Sequence, residues 1–303
     1  MSFIENRCVG ALLGLATGDA MGTTLEFKDR DTYDHIEDMI GGGAFRLKPG
    51  QWTDDTSQAL ALAESLIHNP ELDALDLMNR FSDWRNNGAY SCTGTCFDIG
   101  NATRAALDRF EMTGNPIAGS TDPFDAGNGS LMRLAPVSIC HWNNVEQCAE
   151  VARRQSIVTH GATEAVQACI LFSEYLHQAI NGASKEALIG SKTKFEDSSQ
   201  YFTSIVRGDW RDKSRNQIKS GGYVLHSLEA ALWCVWNAHS FSEAVLLAAN
   251  LGHDADTTAA ITGQLAGALY GAGSIPPHWL QKLYWADRIE QLALQLVDLK
   301  WLG

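Results

Sequence analysis

The 303-residue sequence lacks the features that mark several classes of protein. It has no run of about 20 apolar residues, the length that a membrane-spanning helix needs. No basic run offsets its formal net charge of −13, which makes it a poor binder of nucleic acid. Its seven cysteines are odd in number and include no CxxC pair, which favours reduced thiols over a disulfide framework. We therefore expect a cytoplasmic protein with no membrane span and no nucleic-acid partner.

Strand signals are equally scarce, because no alternating run of β-branched residues reaches five. Apolar residues instead recur at helical spacing. The predicted helices are residues 7–18, 54–68, 73–84, 98–110, 146–158, 162–180, 223–237, 242–250, 257–270 and 278–296. Because the sequence has neither an internal repeat nor a linker, we predict an all-α fold that forms one compact domain over residues 1–303.

The first predicted helix and the longest loops differ from the rest of the chain. Residues 7–18 contain Gly10, Ala11, Gly14 and Ala16, which permit close approach of another backbone, so we place this helix at the centre. Residues 23–51, 114–131 and 183–222 are long and irregular. Such loops are usually functional or mobile. The first two flank candidate site residues, whereas the third is predicted to be peripheral, with one short helix.

Two short acidic segments about two hundred residues apart have the same design. Residues 52–56 read Trp-Thr-Asp-Asp-Thr, and residues 253–258 read His-Asp-Ala-Asp-Thr-Thr. A helical apolar pattern follows each one at once, so both are predicted to form the first turn of a helix. There the helix dipole and the free N–H groups should keep the carboxylates charged at neutral pH.

Carboxylates and hydroxyls together make an oxygen-only ligand set, which suits Mg²⁺ or Mn²⁺ better than zinc or copper. If the two turns meet in space, they form a site for one or two hard divalent cations. Asp and Thr are also ordinary N-capping residues, so one such segment alone would indicate no more than a helix cap. Two segments, each with an acid beyond what capping needs, favour the metal site.

Six motifs follow one another along the chain. They are Gly18-Asp19-Ala20-Met21-Gly22, Glu26-Phe27, Trp52-Thr53-Asp54-Asp55-Thr56, Gly127-Asn128-Gly129-Ser130-Leu131-Met132-Arg133, Thr159-His160 and Asp254-Ala255-Asp256-Thr257-Thr258-Ala259. Their order and spacing resemble the ADP-ribosylglycohydrolase family, and within it the bacterial ADP-ribosyl-dinitrogen-reductase hydrolases. The resemblance implies an all-α fold whose central cleft holds two divalent cations, Mg²⁺ or Mn²⁺. The metal ligands that it implies are Thr53, Asp54, Asp55, Asp254, Asp256 and Thr257.

The resemblance also implies roles for residues outside the acidic turns. Glu26 would take part in catalysis beside the metals, and Asp98 would meet the guanidinium of a modified arginine. The implied ADP-ribose-binding residues are Asn128, Gly129, Ser130, Met132, His160 and Tyr223. Each has a plainer structural interpretation, such as a helix cap for Asp98 or a core histidine for His160. One departure from the family pattern is His253, which stands where glycine is common and could add a side chain near the metals.

The reaction that the resemblance implies is hydrolysis of the N-glycosidic bond between ADP-ribose and an arginine side chain. The substrate would be an ADP-ribosylated protein and one product free ADP-ribose. Alternatives remain open: an O-linked bond to serine, O-acetyl-ADP-ribose, or a non-catalytic ADP-ribose binder or immunity factor that occludes a toxin. Asp98 favours arginine, and the complete set of metal ligands argues against a degenerate binder.

Overall fold

The computed structural model describes residues 1–299, so the last four residues of the predicted 1–303 domain lie outside the described residues. Across the described part, the chain forms helices, turns and loops, and extended residues pair only as isolated bridges. This confirms the all-α prediction. The α-helices are α1 (Phe3–Gly22), α2 (Asp54–His68), α3 (Ala74–Asn87), α4 (Asn101–Thr113), α5 (Ala135–Cys140), α6 (Val145–Ile157), α7 (Thr163–Ile180), α8 (Gln200–Arg207), α9 (Val224–Asn237), α10 (Phe241–Ala249), α11 (Ala255–Tyr270), α12 (Pro277–Lys282) and α13 (Ala286–Val297).

An antiparallel pair of helices, α1 and α11, forms the centre of the fold. A Cβ atom on Gly14 would lie 2.2 Å from the carbonyl oxygen of Gly263, and one on Gly18 would lie 2.0 Å from that of Ala259. Only glycine lets two backbones approach so closely. Every residue of α1 from Cys8 onward is buried, which confirms that the small-residue helix is central.

This helix crossing determines where the acidic segments lie. The two helices run in opposite directions, so the C-terminal end of α1 lies against the N-terminal end of α11: Gly22 lies against Ala255. The backbone N–H of Thr53, the residue before α2, donates to Asp19 of α1 over 2.9 Å. The two acidic turns are therefore brought together by α1, which lies against both.

Some helix predictions were wrong at their boundaries or missed an element. The helix predicted to begin at residue 98 begins at Asn101, and Asp98 has a φ of 58° rather than the geometry of a cap. Residues 278–296 form α12 and α13, which are separated at Trp285, where φ is 56°. Helix α5 was missed because six residues are too few to show a period. In residues 183–222 the one α-helix is α8, as predicted.

The expectations that rested on absent features can also be compared with the structure. Within residues 1–299 no helix is both long and apolar enough to cross a membrane. All seven cysteines are free thiols, as predicted. Burial raises the pKa of the Cys92 thiol to about 12, and its Sγ lies 3.1 Å from the carbonyl oxygen of Trp52. A thiol held in this protonated form is a poor metal ligand.

Candidate metal centre

A cavity of about 830 Å³ opens over the ends of the two acidic turns. Pockets of this size hold ligands as large as a nucleotide. Its walls come from parts of the chain that are far apart in sequence. The residues that line it include Glu26, Phe27, Asp54, Asp98, Phe124, Asn128, Gly129, Met132, His160, Gly222, Tyr223, Asp254, Asp256 and Thr257.

The two acidic turns meet at the floor of this cavity. The hydroxyl oxygen of Thr53 lies 3.2 Å from Asp55 Oδ2 in its own turn and 3.4 Å from Asp256 Oδ2 in the other. From the second turn, the hydroxyl of Thr257 lies 3.4 Å from Asp55 Oδ2. Asp254 is the residue before α11 and Asp54 begins α2, as the sequence predicted for first turns.

Glu26 and Asp98 extend the acidic cluster toward the open side of the cavity. One carboxylate oxygen of each lies within 4.8 Å of an oxygen of Asp256. Asp19, Asp55 and Asp256 form a second group of three deeper in the protein, again with one carboxylate oxygen of each within 4.8 Å of the others. Asp256 belongs to both groups, so the acids form one continuous cluster rather than two separate sites.

The charge state of this cluster corrects one prediction. We expected the helix dipoles to keep the acids ionised, but burial and repulsion between neighbouring carboxylates raise the pKa of Asp54, Asp55 and Asp256 well above the ordinary value. Burial, followed by the charges of Asp98 and Asp254, raises the pKa of Glu26 to about 9. The dipole of one helix turn is too weak to stabilise so many buried charges without cations.

The donor set fits a hard divalent cation. Three carboxylate oxygens are buried with no hydrogen-bond partner: Glu26 Oε2, Asp55 Oδ1 and Asp256 Oδ1. Buried acceptors of this kind cost free energy unless something pairs with them. The two acidic turns offer only carboxylate and hydroxyl oxygens, which are the ligands that Mg²⁺ and Mn²⁺ prefer. The cluster can therefore hold metal ions.

Asp19 supports this centre, although the sequence analysis gave it no role. Its Oδ1 accepts from the backbone N–H and the hydroxyl of Thr53, both over 2.9 Å. Its Oδ2 accepts from the backbone N–H of Thr56 over 2.9 Å and from its hydroxyl over 2.6 Å. The signal was present in the sequence, because Asp19 is the single acid near the end of an otherwise small and apolar helix.

The predicted ADP-ribose-binding residues fall into two groups. Five of them, Asn128, Gly129, Met132, His160 and Tyr223, line the cavity. Ser130 does not: its side chain is buried, with its hydroxyl 2.9 Å from that of Ser156. Asn128 also reaches the acidic cluster, since its Nδ2 donates to Asp254 Oδ2 over 2.7 Å. The Tyr223 hydroxyl donates to the carboxylate of Glu164.

An all-helical protein with a buried carboxylate cluster under a nucleotide-sized cleft is a candidate metal-dependent enzyme. The family model of the ADP-ribosylglycohydrolases matches residues 2–302. The chain belongs to this family, which confirms the resemblance that the motifs indicated.

Individual relatives support the assignment. The chain is 48% identical to the ADP-ribosylarginine hydrolase Tri1 of Pseudomonas putida (strain GB-1), over 97% of this chain and 78% of the relative. It is 46% identical to the Tri1 protein of Serratia proteamaculans (strain 568), over 96% and 79%. With the ADP-ribosyl-[dinitrogen reductase] glycohydrolase of Rhodospirillum rubrum it shares 32% identity over 92% and 91%. A solved structure titled "ADP-ribosylglycohydrolase-related protein complex" superimposes with a TM-score of 0.86 at 41% identity, covering 98% of this chain and 99% of that one.

Proposed function

We propose that this protein is a metal-dependent hydrolase that removes ADP-ribose from modified arginine side chains of proteins. The observation that carries the proposal is the junction of the two acidic turns beneath a cleft large enough for ADP-ribose. The relatives at 48% and 46% identity are both named ADP-ribosylarginine hydrolases, which supports arginine as the modified residue.

The metal-binding residues we propose are those of the two turns. Thr53, Asp54, Asp55, Asp254, Asp256 and Thr257 would hold two divalent cations, Mg²⁺ or Mn²⁺. Such cations bind sugar hydroxyls and acidify bound water at neutral pH. Asp19 has both carboxylate oxygens occupied by Thr53 and Thr56, so its part is to hold the first turn in place.

Glu26 and Asp98 are the residues that we assign to catalysis. Cleavage at the anomeric carbon builds positive charge on the ribose, which nearby carboxylates stabilise. Asp98 lines the cavity and would accept hydrogen bonds from the guanidinium that leaves; burial raises its pKa to about 7. Glu26, one oxygen of which is unpaired, is available to hold the attacking water or the ribose. Nearby cationic charge lowers both pKa values and favours the ionised forms.

The opposite wall of the cavity is the proposed binding surface for the rest of ADP-ribose. The backbone N–H groups of the loop at Asn128 and Gly129 suit a diphosphate. A Cβ atom on Gly129 would come within 2.8 Å of His160 Cε1, so the loop lies directly on the imidazole. Met132 and Tyr223 complete this wall, and Ser130 contributes through its backbone alone. Seven free thiols also suit the reducing cytoplasm that we propose as the location.

The decisive experiment compares two linkages. ADP-ribose release would be measured from an ADP-ribosyl-arginine protein and from an ADP-ribosyl-serine peptide, with Mg²⁺, with Mn²⁺ and with EDTA. We expect release from arginine alone, only with metal, and its loss in Asp256→Ala, because Asp256 belongs to both groups of acids. Release from serine alone would keep the metal centre and overturn the linkage. Binding of ADP-ribose without release from either substrate would instead indicate a binder or an occluding protein.

A further inference from the structure

One arginine lies wholly inside the protein, behind the wall of the cleft. Arg133 has no exposed surface and ends the motif that begins at Gly127. Its guanidinium lies over the ring of Phe81, 4.5 Å from the centroid. Burying a cation is costly unless its donors are satisfied. No carboxylate among the described residues forms an ion pair with it, so its donors must be satisfied by neutral groups.

Three side chains and one backbone carbonyl accept the hydrogen bonds of Arg133. Its Nη1 donates to Gln58 Oε1 over 2.7 Å, and its Nε donates to Gln155 Oε1 over 3.0 Å. Its Nη2 donates over 2.8 Å to both the hydroxyl of Thr159 and the backbone carbonyl of Gln155. A guanidinium has five N–H donors and no acceptor. Each partner must therefore present an oxygen to it.

This requirement fixes the direction of the two amides. Because the oxygen of Gln58 faces Arg133, its NH₂ group points the other way and donates over 2.8 Å to Oδ2 of Asp54, a residue that lines the cleft. Because the oxygen of Gln155 faces Arg133, its NH₂ group donates to the backbone carbonyl of Ser130 over 2.9 Å. Each glutamine is therefore a relay, by which we mean a side chain that hydrogen-bonds to Arg133 at one end and to a group of the candidate site at the other. The Gln58 relay ends on a carboxylate of the candidate metal centre, and the Gln155 relay ends on the candidate ADP-ribose loop.

The third relay determines the tautomer of His160. The hydroxyl of Thr159 accepts from Arg133, so its own hydrogen is free to point at His160 Nδ1, 2.8 Å away. An Nδ1 that accepts leaves the proton of the neutral ring on Nε2. The Nε2 edge lies against the loop, where Cβ atoms on Gly127 and Gly129 would come within 3.5 Å and 3.0 Å of it. An N–H donor therefore faces the loop.

We propose that Arg133 is a positioning residue: one buried cation sets the donor direction of three relay side chains, and through them orients a metal-binding carboxylate, a loop carbonyl and an imidazole. The relays and the groups they orient are Gln58 with Asp54, Gln155 with Ser130, and Thr159 with His160. The inference rests on the proposed function in taking the acidic turns as the metal site and the loop as the ADP-ribose site. Its test measures binding rather than turnover, so it does not depend on which bond is cleaved.

The metal-binding half is tested with Gln58→Met, which keeps the length of the side chain and removes the amide. We expect the Kd for Mn²⁺, measured by calorimetry on the metal-free protein, to rise about tenfold, as is usual when a group that orients a metal ligand is lost. The affinity for ADP-ribose in EDTA should not change. A Kd for Mn²⁺ equal to that of the wild type would overturn this half.

The ligand-binding half is tested with Thr159→Val, which removes the hydroxyl at nearly constant volume. We expect the affinity for ADP-ribose in EDTA to fall about tenfold, the effect of one lost hydrogen bond in a buried site. The affinity for Mn²⁺ should stay unchanged. Nitrogen-15 NMR of the wild-type protein should show His160 protonated on Nε2, and this preference should weaken in the variant. A ring already protonated on Nδ1 in the wild type would overturn the relay.

The role of Arg133 itself is tested by a double-mutant cycle. Arg133→Met should weaken binding of both Mn²⁺ and ADP-ribose, and adding Gln58→Met should then have little further effect on Mn²⁺. Arg133→Lys should not rescue either, because one compact ammonium cannot reach three relays. Gln167→Met is the matched control, since this buried amide bonds instead to the carbonyl of Glu196. Rescue by lysine, additive effects, or equal losses in the control would each contradict the proposal.

Discussion

The two acidic turns are alike in sequence but are supported in different ways. The turn that begins α2 is held from inside the protein, where Asp19 accepts four hydrogen bonds from Thr53 and Thr56. The turn that begins α11 is held from the cleft side, where Asn128 donates to Asp254 over 2.7 Å. The acid that supports the first turn therefore comes from the central helix α1, whereas the amide that supports Asp254 in the second comes from a loop 126 residues away.

Because they are supported differently, we expect the two turns to have different roles in the metal centre. The support of the second turn comes from residues that also line the cavity: Asn128 is one of them, and the carbonyl of His253 accepts from the backbone N–H of Phe27, next to Glu26. A ligand in the cavity would contact these supports directly. We therefore expect the first turn to act as a fixed platform and the second to respond to what the cleft holds.

We expect the largest effect on stability from a substitution that disrupts the crossing of α1 and α11, because both turns depend on this crossing. In Gly18→Ala the new Cβ atom would lie 2.0 Å from the carbonyl oxygen of Ala259, and a backbone carbonyl cannot move aside as a flexible side chain can. We expect a loss of about 3 kcal/mol or more in the free energy of unfolding. Urea unfolding measures it. Gly221→Ala is the control, because no atom lies within 4 Å of its Cβ position, and an equal loss there would contradict the crossing.

A direct comparison of the two supports uses one substitution on each side. Asp19→Asn leaves two of four buried donors facing an NH₂ group, whereas in Asp254→Asn the amide oxygen can still accept from Asn128. We expect Asp19→Asn to destabilise the protein by about 2–3 kcal/mol and Asp254→Asn by less than about 1 kcal/mol. Unfolding by urea in EDTA would show the order. Equal losses would mean that the two turns are not supported differently.

Removing a carboxylate from between the two turns should stabilise the metal-free protein, in contrast to the substitutions above. Asp256→Asn takes one carboxylate out of a buried, mutually repelling cluster. In EDTA we expect the melting temperature to rise, by the equivalent of about 1 kcal/mol, while the stabilisation that Mn²⁺ gives the wild type is lost. Thermal melts with and without Mn²⁺ test both parts. Asp34→Asn on the surface is the control and should change neither; a melting temperature below that of the wild type in EDTA would refute the prediction.

The same repulsion predicts a pH dependence. Burial and neighbouring charges raise the pKa of Glu26 to about 9, and burial raises that of Asp98 to about 7. The unfolded chain releases these protons at lower pH than the folded chain, so the folded state binds more protons in between. Stability of the metal-free protein should therefore fall as the pH rises from about 5 to about 9.

Urea unfolding in EDTA across that pH range would measure the slope. Saturating Mg²⁺ should flatten it, because bound cations compensate the carboxylate charges. Glu26→Gln should make the slope in EDTA shallower, since it removes one of the carboxyl groups whose pKa is raised by burial and neighbouring charges. A stability that rises with pH in EDTA would show that these carboxylates are ionised in the folded protein without metal.

Local pattern explains why so much of the fold was predictable. Long helices such as α7 contain several turns of apolar periodicity, and the glycines of α1 predicted a close helix crossing. The secondary-structure predictions that were wrong concern a short helix and a residue in a left-handed backbone conformation. Helix α5 has only six residues, and the break at Trp285 depends on a left-handed backbone that propensity does not predict.

The site was predictable to the extent that its residues stand in compact motifs. Both acidic turns could be recognised in the sequence because their acids are adjacent in the first turn and one residue apart in the second. The supports could not, because Gln58 reaches Arg133 across 75 residues and Thr53 reaches Asp19 across 34. The prediction that the acids stay ionised was wrong for a related reason. The number of carboxylates that repel one another depends on the fold, and each turn by itself contains only two.

The smallest expected effect sharpens the account of the second turn. The sequence raised the question of whether His253 adds a side chain to the metal centre. His253 lies at the edge of the cavity with its side chain about half exposed. Its Nδ1 lies 3.8 Å from Asp29, and its backbone N–H and carbonyl join the turn to Lys28 and Phe27. His253→Asn keeps a residue that tolerates the observed φ of 59°. We therefore expect the Kd for Mn²⁺ and the rate of ADP-ribose release to stay within about twofold of the wild type, the range of an ordinary surface substitution. A larger rise in the Kd would place the imidazole among the groups that contact the metals and would make the second turn a mixed nitrogen and oxygen site.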